Sequence, residues 1–172
     1  MVVDGQILLG TVALEPNRWG TVDPSGGPIA KVGDWVDAVA SAGFDGLELW
    51  ERHLDDDALE PSMLDAPLPI AVFNTYVGFD DPDPTQRRAA AGRVERARSR
   101  AVKFNVGNDP DAADRYARRL AEWIGELPDG VAALCECHHG ISIAEDPDVA
   151  AALFNAAGSP EQVQAIVHTH ED

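Results

Sequence analysis

The segment LCECHHG, residues 134–140, places a carboxylate, Glu136, two residues before an imidazole, His138. In an extended chain alternate residues share a face, so Glu136 and His138 point one way while Cys135, Cys137 and His139 point the other. The segment IVHTHED repeats the spacing, with His168 and His170 on the face of Ile166. Three further apolar segments carry polar groups in the same manner: Glu48, Trp50 and Arg52 in GLELWER, Asn74 and Tyr76 in FNTY, and Lys103 and Asn105 in VKFN. A carboxylate with imidazoles suits a divalent cation that polarises a carbonyl or hydroxyl while neighbouring acid and base groups move protons. Zinc held by Cys135, Cys137 and histidines is a competing arrangement, disfavoured because alternation turns both thiols away from Glu136. One intervening residue on a strand also gives the two thiols the wrong geometry for a disulfide. No motif supports a serine or cysteine nucleophile.

Such residues act together only where a fold gathers strand ends. Strand candidates are QILLGTVAL (6–14), DGLELWERH (45–53), IAVFNTYVGF (70–79), AVKFNVG (101–107), VAALCECHHG (131–140) and VQAIVHTHED (163–172). Helical patterns lie between them. Trp35, Val36, Val39 and Ala40 recur at helical spacing before a stop at Gly43, and a long segment rich in Arg and Ala runs from Thr85 to Ser99. Tyr116, Leu120, Trp123, Ile124 and Leu127 form one stripe within 109–127, and DPDVAAALFNAAG (146–158) closes at Gly158. LDDDALEPSMLDAP (54–67), interrupted by Pro61, reads as an irregular or single-turn element. Strands alternating with helices imply a parallel sheet with right-handed crossovers. No GxGxxG loop follows any strand, which weakens the nucleotide-binding open sheet. The expectation is an α/β, TIM-barrel-like parallel β/α architecture, an incomplete barrel of about six strands.

With 172 residues the chain is expected to form a single domain, 1–172, and its 45% hydrophobic and 25% charged residues are near the globular average. The formal net charge of -17 provides no basic footprint for nucleic acid or anionic lipid, so neither is an expected partner. No apolar run approaches the roughly 20 residues of a membrane span. The start, MVVDGQILLG, has no basic stretch before its apolar segment, so a cytoplasmic location is expected.

AGFDGLELWERHL, AVKFNVG, LCECHHG and IVHTHED, in this order and separated by helices, resemble the xylose isomerase-like barrels known as sugar phosphate isomerases/epimerases. The resemblance covers most of the chain and implies a barrel that binds a divalent cation (Mn, Mg, Co or Zn) and moves a proton at the carbon next to a carbonyl on a small-molecule sugar or polyol. It assigns Glu136 as metal ligand and catalytic carboxylate, and His168 as second ligand at a position where an Asp is common. His138 and His170 would bind or orient substrate, and Glu48 and Trp50 would belong to the pocket wall. Complete barrels run to about 250 residues and eight strands. The two further ligands and a second carboxylate would therefore lie outside these six strands, supplied by missing strands, a complementing chain or a homo-oligomer. The alternative implied by the same shortfall is a non-catalytic binding or partner subunit that keeps the scaffold.

Overall fold

The computed structural model describes residues 5–16, 18, 27–55, 68–158 and 162–167. The strands are β1 (Leu8–Gly10), β2 (Gly46–Trp50), β3 (Ile70–Asn74), β4 (Ala101–Phe104), β5 (Ala132–Cys137) and β6 (Val163–Val167). The helices are α1 (Val36–Ser41), α2 (Glu51–Asp55), α3 (Thr85–Ala97), α4 (Ala113–Ile124) and α5 (Pro147–Ala157). The fold is α/β, with one six-stranded sheet in chain order and helices between strands, a TIM-barrel-like arrangement. Two compact units divide between Asn74 and Thr75, with Ala97–Arg100 belonging to the first.

In the first unit β1 pairs parallel with β2, Leu9 opposite Leu47, and β2 with β3, Leu49 opposite Phe73. Val32, Val36 and Val39 recur at helical spacing and pack with Leu47 and Leu68 into a buried cluster. Trp35, expected on that stripe, lies at its margin and stays 46% exposed. The expected first strand, 6–14, is half strand and half 3-10 turn (Thr11–Leu14). The Trp50 backbone N–H donates to the Thr11 hydroxyl, so past Gly10 a side chain takes the place of a ladder carbonyl. The second strand also stops early, at Trp50, because Glu51–Asp55 winds into α2. Arg52 is thereby taken off the row of Glu48 and Trp50, and its guanidinium lies over the Trp50 ring, 5.4 Å from the centroid.

In the second unit β4 pairs parallel with β5, Phe104 opposite Cys135, and β5 with β6, Glu136 opposite Ile166. Tyr116, Leu120, Trp123 and Ile124 form the buried face of α4, as their spacing requires. Phe79, Phe104 and Trp123 meet edge to face with centroids 5.2–5.8 Å apart. Helix starts follow local chemistry. Asp146 Oδ1 accepts the N–H groups of Asp148 and Val149 ahead of α5, with Pro147 at the first position, and Gly158 closes that helix with φ 98°. Two buried arginines staple the chain before α3: Arg87 donates to the Asp81 carbonyl at 2.7 Å and Arg119 to the Phe79 carbonyl at 2.7 Å. No helix among the described residues is long and apolar enough to cross a membrane. The element expected over 54–67 lies outside the described residues apart from the end of α2.

Candidate functional site

Alternation on β4 buries Val102 and Phe104 completely and leaves Lys103 and Asn105 half-buried on the opposite face. The register of β4 with β5 carries Glu136 to the same level, one residue beyond the Phe104–Cys135 pair. The side chains meet there. Lys103 Nζ lies 3.3 Å from Glu136 Oε1, each side chain 13% exposed, and Asn105 Nδ2 donates to Glu136 Oε2 at 3.0 Å. A carboxylate only accepts, so the amide must turn its NH2 toward Glu136, which directs Asn105 Oδ1 away. That oxygen is buried and has no hydrogen-bond partner among the described residues. An orphaned acceptor costs free energy until a donor reaches it, about 1–3 kcal/mol in typical cases. Ammonium, carboxylate and unpaired acceptor together suit a ligand that is rich in hydroxyls and carries a carbonyl.

His138 follows β5 and is half-buried, its Nδ1 2.9 Å from the His139 carbonyl oxygen. His139, by contrast, is exposed, with Nδ1 2.9 Å from Glu145 Oε2. His168 and His170 lie outside the described residues. Glu48 and Trp50 belong to the first unit, where Asn74 Nδ2 donates to Glu48 Oε1 at 3.1 Å and Trp50 is buried against the edge of His53.

The first unit also holds a polar cluster that the sequence did not signal. His53 is fully buried, with Nε2 2.8 Å from Glu15 Oε1 and Nδ1 2.9 Å from the Thr11 hydroxyl. Glu15 also accepts the backbone N–H groups of Ile29 and Ala30 at 2.8–3.1 Å. Burial by itself would raise the Glu15 carboxyl, but the hydrogen bonds from His53, Ile29 and Ala30 and the nearby imidazole hold it below its ordinary range. His53 reaches this buried position because residues 51–55 wind into a helix instead of prolonging β2.

Cys135 and Cys137 are free thiols on the face opposite Glu136, and Cys135 is completely buried. The Cys135 thiol is pushed up by its hydrogen bond to Cys137 and then by burial. Among the described residues no three His, Cys, Asp or Glu side chains converge as a metal site. Glu136 is the one described residue of the expected cation ligands, and Lys103 and Asn105 occupy its two oxygens. With both oxygens engaged by Lys103 and Asn105, and with no group of three His, Cys, Asp or Glu side chains converging among the described residues, Glu136 by itself makes no divalent-cation site.

The fold places the chain among parallel α/β proteins of TIM-barrel-like type, whose reactive groups gather at the C-terminal ends of strands. No protein-family model matches the sequence, and no curated protein matches it significantly.

Proposed function

We propose that the chain acts on a sugar or polyol as an isomerase/epimerase-like protein, moving a proton at the carbon next to a carbonyl. The observation that supports this is the cluster of Lys103, Glu136 and the partnerless Asn105 Oδ1 at the ends of β4 and β5. Glu136 is the carboxylate that takes the proton, Asn105 fixes a hydroxyl, and His138 stands beyond the strand end as a substrate-orienting group. The motif resemblance to sugar isomerase/epimerase barrels supports the same reaction class.

The test is proton NMR in D2O with dihydroxyacetone, D-fructose and their phosphates. Deuterium should enter at the carbon beside the carbonyl with the full chain, and Glu136→Gln should reduce that rate at least 100-fold. Equal exchange in both proteins would remove Glu136 from the reaction. A second reading, a non-catalytic sugar-binding or partner subunit, is favoured by the ammonium already set against the Glu136 carboxylate. It requires binding of the same sugars with no deuterium incorporation.

A further inference from the structure

We infer that Lys103 is the electrophile of this site, holding with its ammonium the oxygen that a divalent cation would otherwise hold. The inference rests on the carbonyl chemistry proposed above and names the group that carries it. Three observations converge. Nζ stands 3.3 Å from one oxygen of the proposed base, so a carbonyl oxygen bound to the ammonium places its neighbouring carbon close to that base. Asn105, on the same face of the chain as Lys103, holds the other carboxylate oxygen and presents an unpaired acceptor for a hydroxyl. The chain also uses lysine sparingly: of 13 basic residues two are lysines, Lys31 and Lys103. A compact ammonium that donates to one point differs from the planar guanidinium used elsewhere along the chain, and it suits a single oxygen on which charge develops.

The step balances without an oxidant or reductant. The C–H bond beside the carbonyl breaks, and its proton passes to a Glu136 oxygen. Its electron pair forms the carbon–carbon double bond of an enediol(ate), while the C=O π pair moves to oxygen and is met by a Lys103 N–H. Return of the proton from Glu136 to the neighbouring carbon, with a hydroxyl proton transferred between the two oxygens, gives the isomer and restores both side chains.

The test uses the full chain after EDTA dialysis, as wild type, Lys103→Met, Lys103→Arg and Glu136→Gln, with folding checked by circular dichroism. Dihydroxyacetone and D-fructose exchange in D2O should persist in EDTA. It should fall at least 100-fold in kcat in Lys103→Met, and at least tenfold in Lys103→Arg despite the retained charge and an unchanged Tm. A structural ion pair alone would be rescued by arginine. Manganese titration supplies a readout independent of turnover: Lys103→Met should bind Mn at least tenfold more tightly than wild type, and adding Glu136→Gln should abolish that gain. The double variant separates this site from weak binding to an acidic surface. Exchange that appears only with added metal, or stoichiometric wild-type Mn that Glu136→Gln removes, overturns the role of Lys103 and leaves the proposed reaction standing. Absence of exchange with and without metal overturns the proposed reaction, and the electrophile role with it.

Discussion

Two carboxylates, one in each unit, are satisfied in opposite ways. Glu15 is 2% exposed and gathers its bonds from an imidazole and two backbone N–H groups. The imidazole is in turn engaged by Thr11, whose hydroxyl accepts the Trp50 N–H. A carboxylate only accepts, so His53 Nε2–H donates to Glu15, and Nδ1 shares the second bond with the Thr11 hydroxyl. Every donor is then matched, and the cluster ties the turn after β1, the residues at 29–30 and α2 into one piece. Glu136 meets the Lys103 ammonium and the Asn105 amide, and Asn105 carries a buried acceptor with no hydrogen-bond partner among the described residues. Complete satisfaction reads as architecture, while an unfilled acceptor beside a paired charge reads as a place for a ligand.

The largest expected effect lies on the architectural side. His53→Ala leaves the Glu15 charge buried without its imidazole and should cost about 3–5 kcal/mol in urea unfolding. Glu15→Gln should cost about 3 kcal/mol at pH 7, and its pH dependence has a definite sign. Because the folded carboxyl titrates below its unfolded value of about 4.3, the stabilisation is fully present above that pH and is lost as pH falls through the folded value. The gap between wild type and Glu15→Gln should therefore narrow in acid. A gap that stays constant from neutral to acid pH would mean that the Glu15 charge is not what the cluster stabilises.

Gly107 comes next. It follows the site residues of β4 with φ 111°, and a Cβ there would lie 2.7 Å from the Tyr116 hydroxyl oxygen. That hydroxyl donates to Asp80 at 3.0 Å, so the ring has little freedom to withdraw. Gly107→Ala should destabilise the chain by about 2 kcal/mol, read as a lower urea midpoint, through backbone strain together with the clash. An unchanged midpoint would show that the turn after β4 can adjust.

The smallest expected change in stability belongs to the candidate site. Glu136→Gln keeps an acceptor toward Lys103 and should shift unfolding by about 1 kcal/mol, the usual net worth of one hydrogen bond. A loss as large as that of Glu15→Gln would erase the contrast and make Glu136 structural.

Much of the fold was legible from residue order. The alternation of apolar runs with amphipathic segments specified six parallel strands, and the spacing of Tyr116, Leu120, Trp123 and Ile124 specified the buried face of α4. Strand ends were less legible. Apolar patterning cannot register that Thr11 turns its hydroxyl to Trp50, or that residues 51–55 wind into a helix and carry His53 inward. Glu136 and Asn105 were recognisable as polar strand-end residues, as was Lys103. Their pairing depends on the register of β4 against β5, which period-2 patterning does not determine. The one compositional signal for Lys103 was its rarity in a chain whose basic residues are mostly arginine.

The most direct measurement is a 1H–15N NMR titration of the full chain with D-fructose, following the side-chain amide of Asn105 and the backbone amides of Lys103, Glu136 and His53. Saturable shifts at Asn105, Lys103 and Glu136 with His53 unmoved are the expected result, and Glu136→Gln should weaken them at least tenfold. Shifts centred on His53, or none at Asn105 at saturating sugar, would contradict the assignment of ligand binding to the ends of β4 and β5.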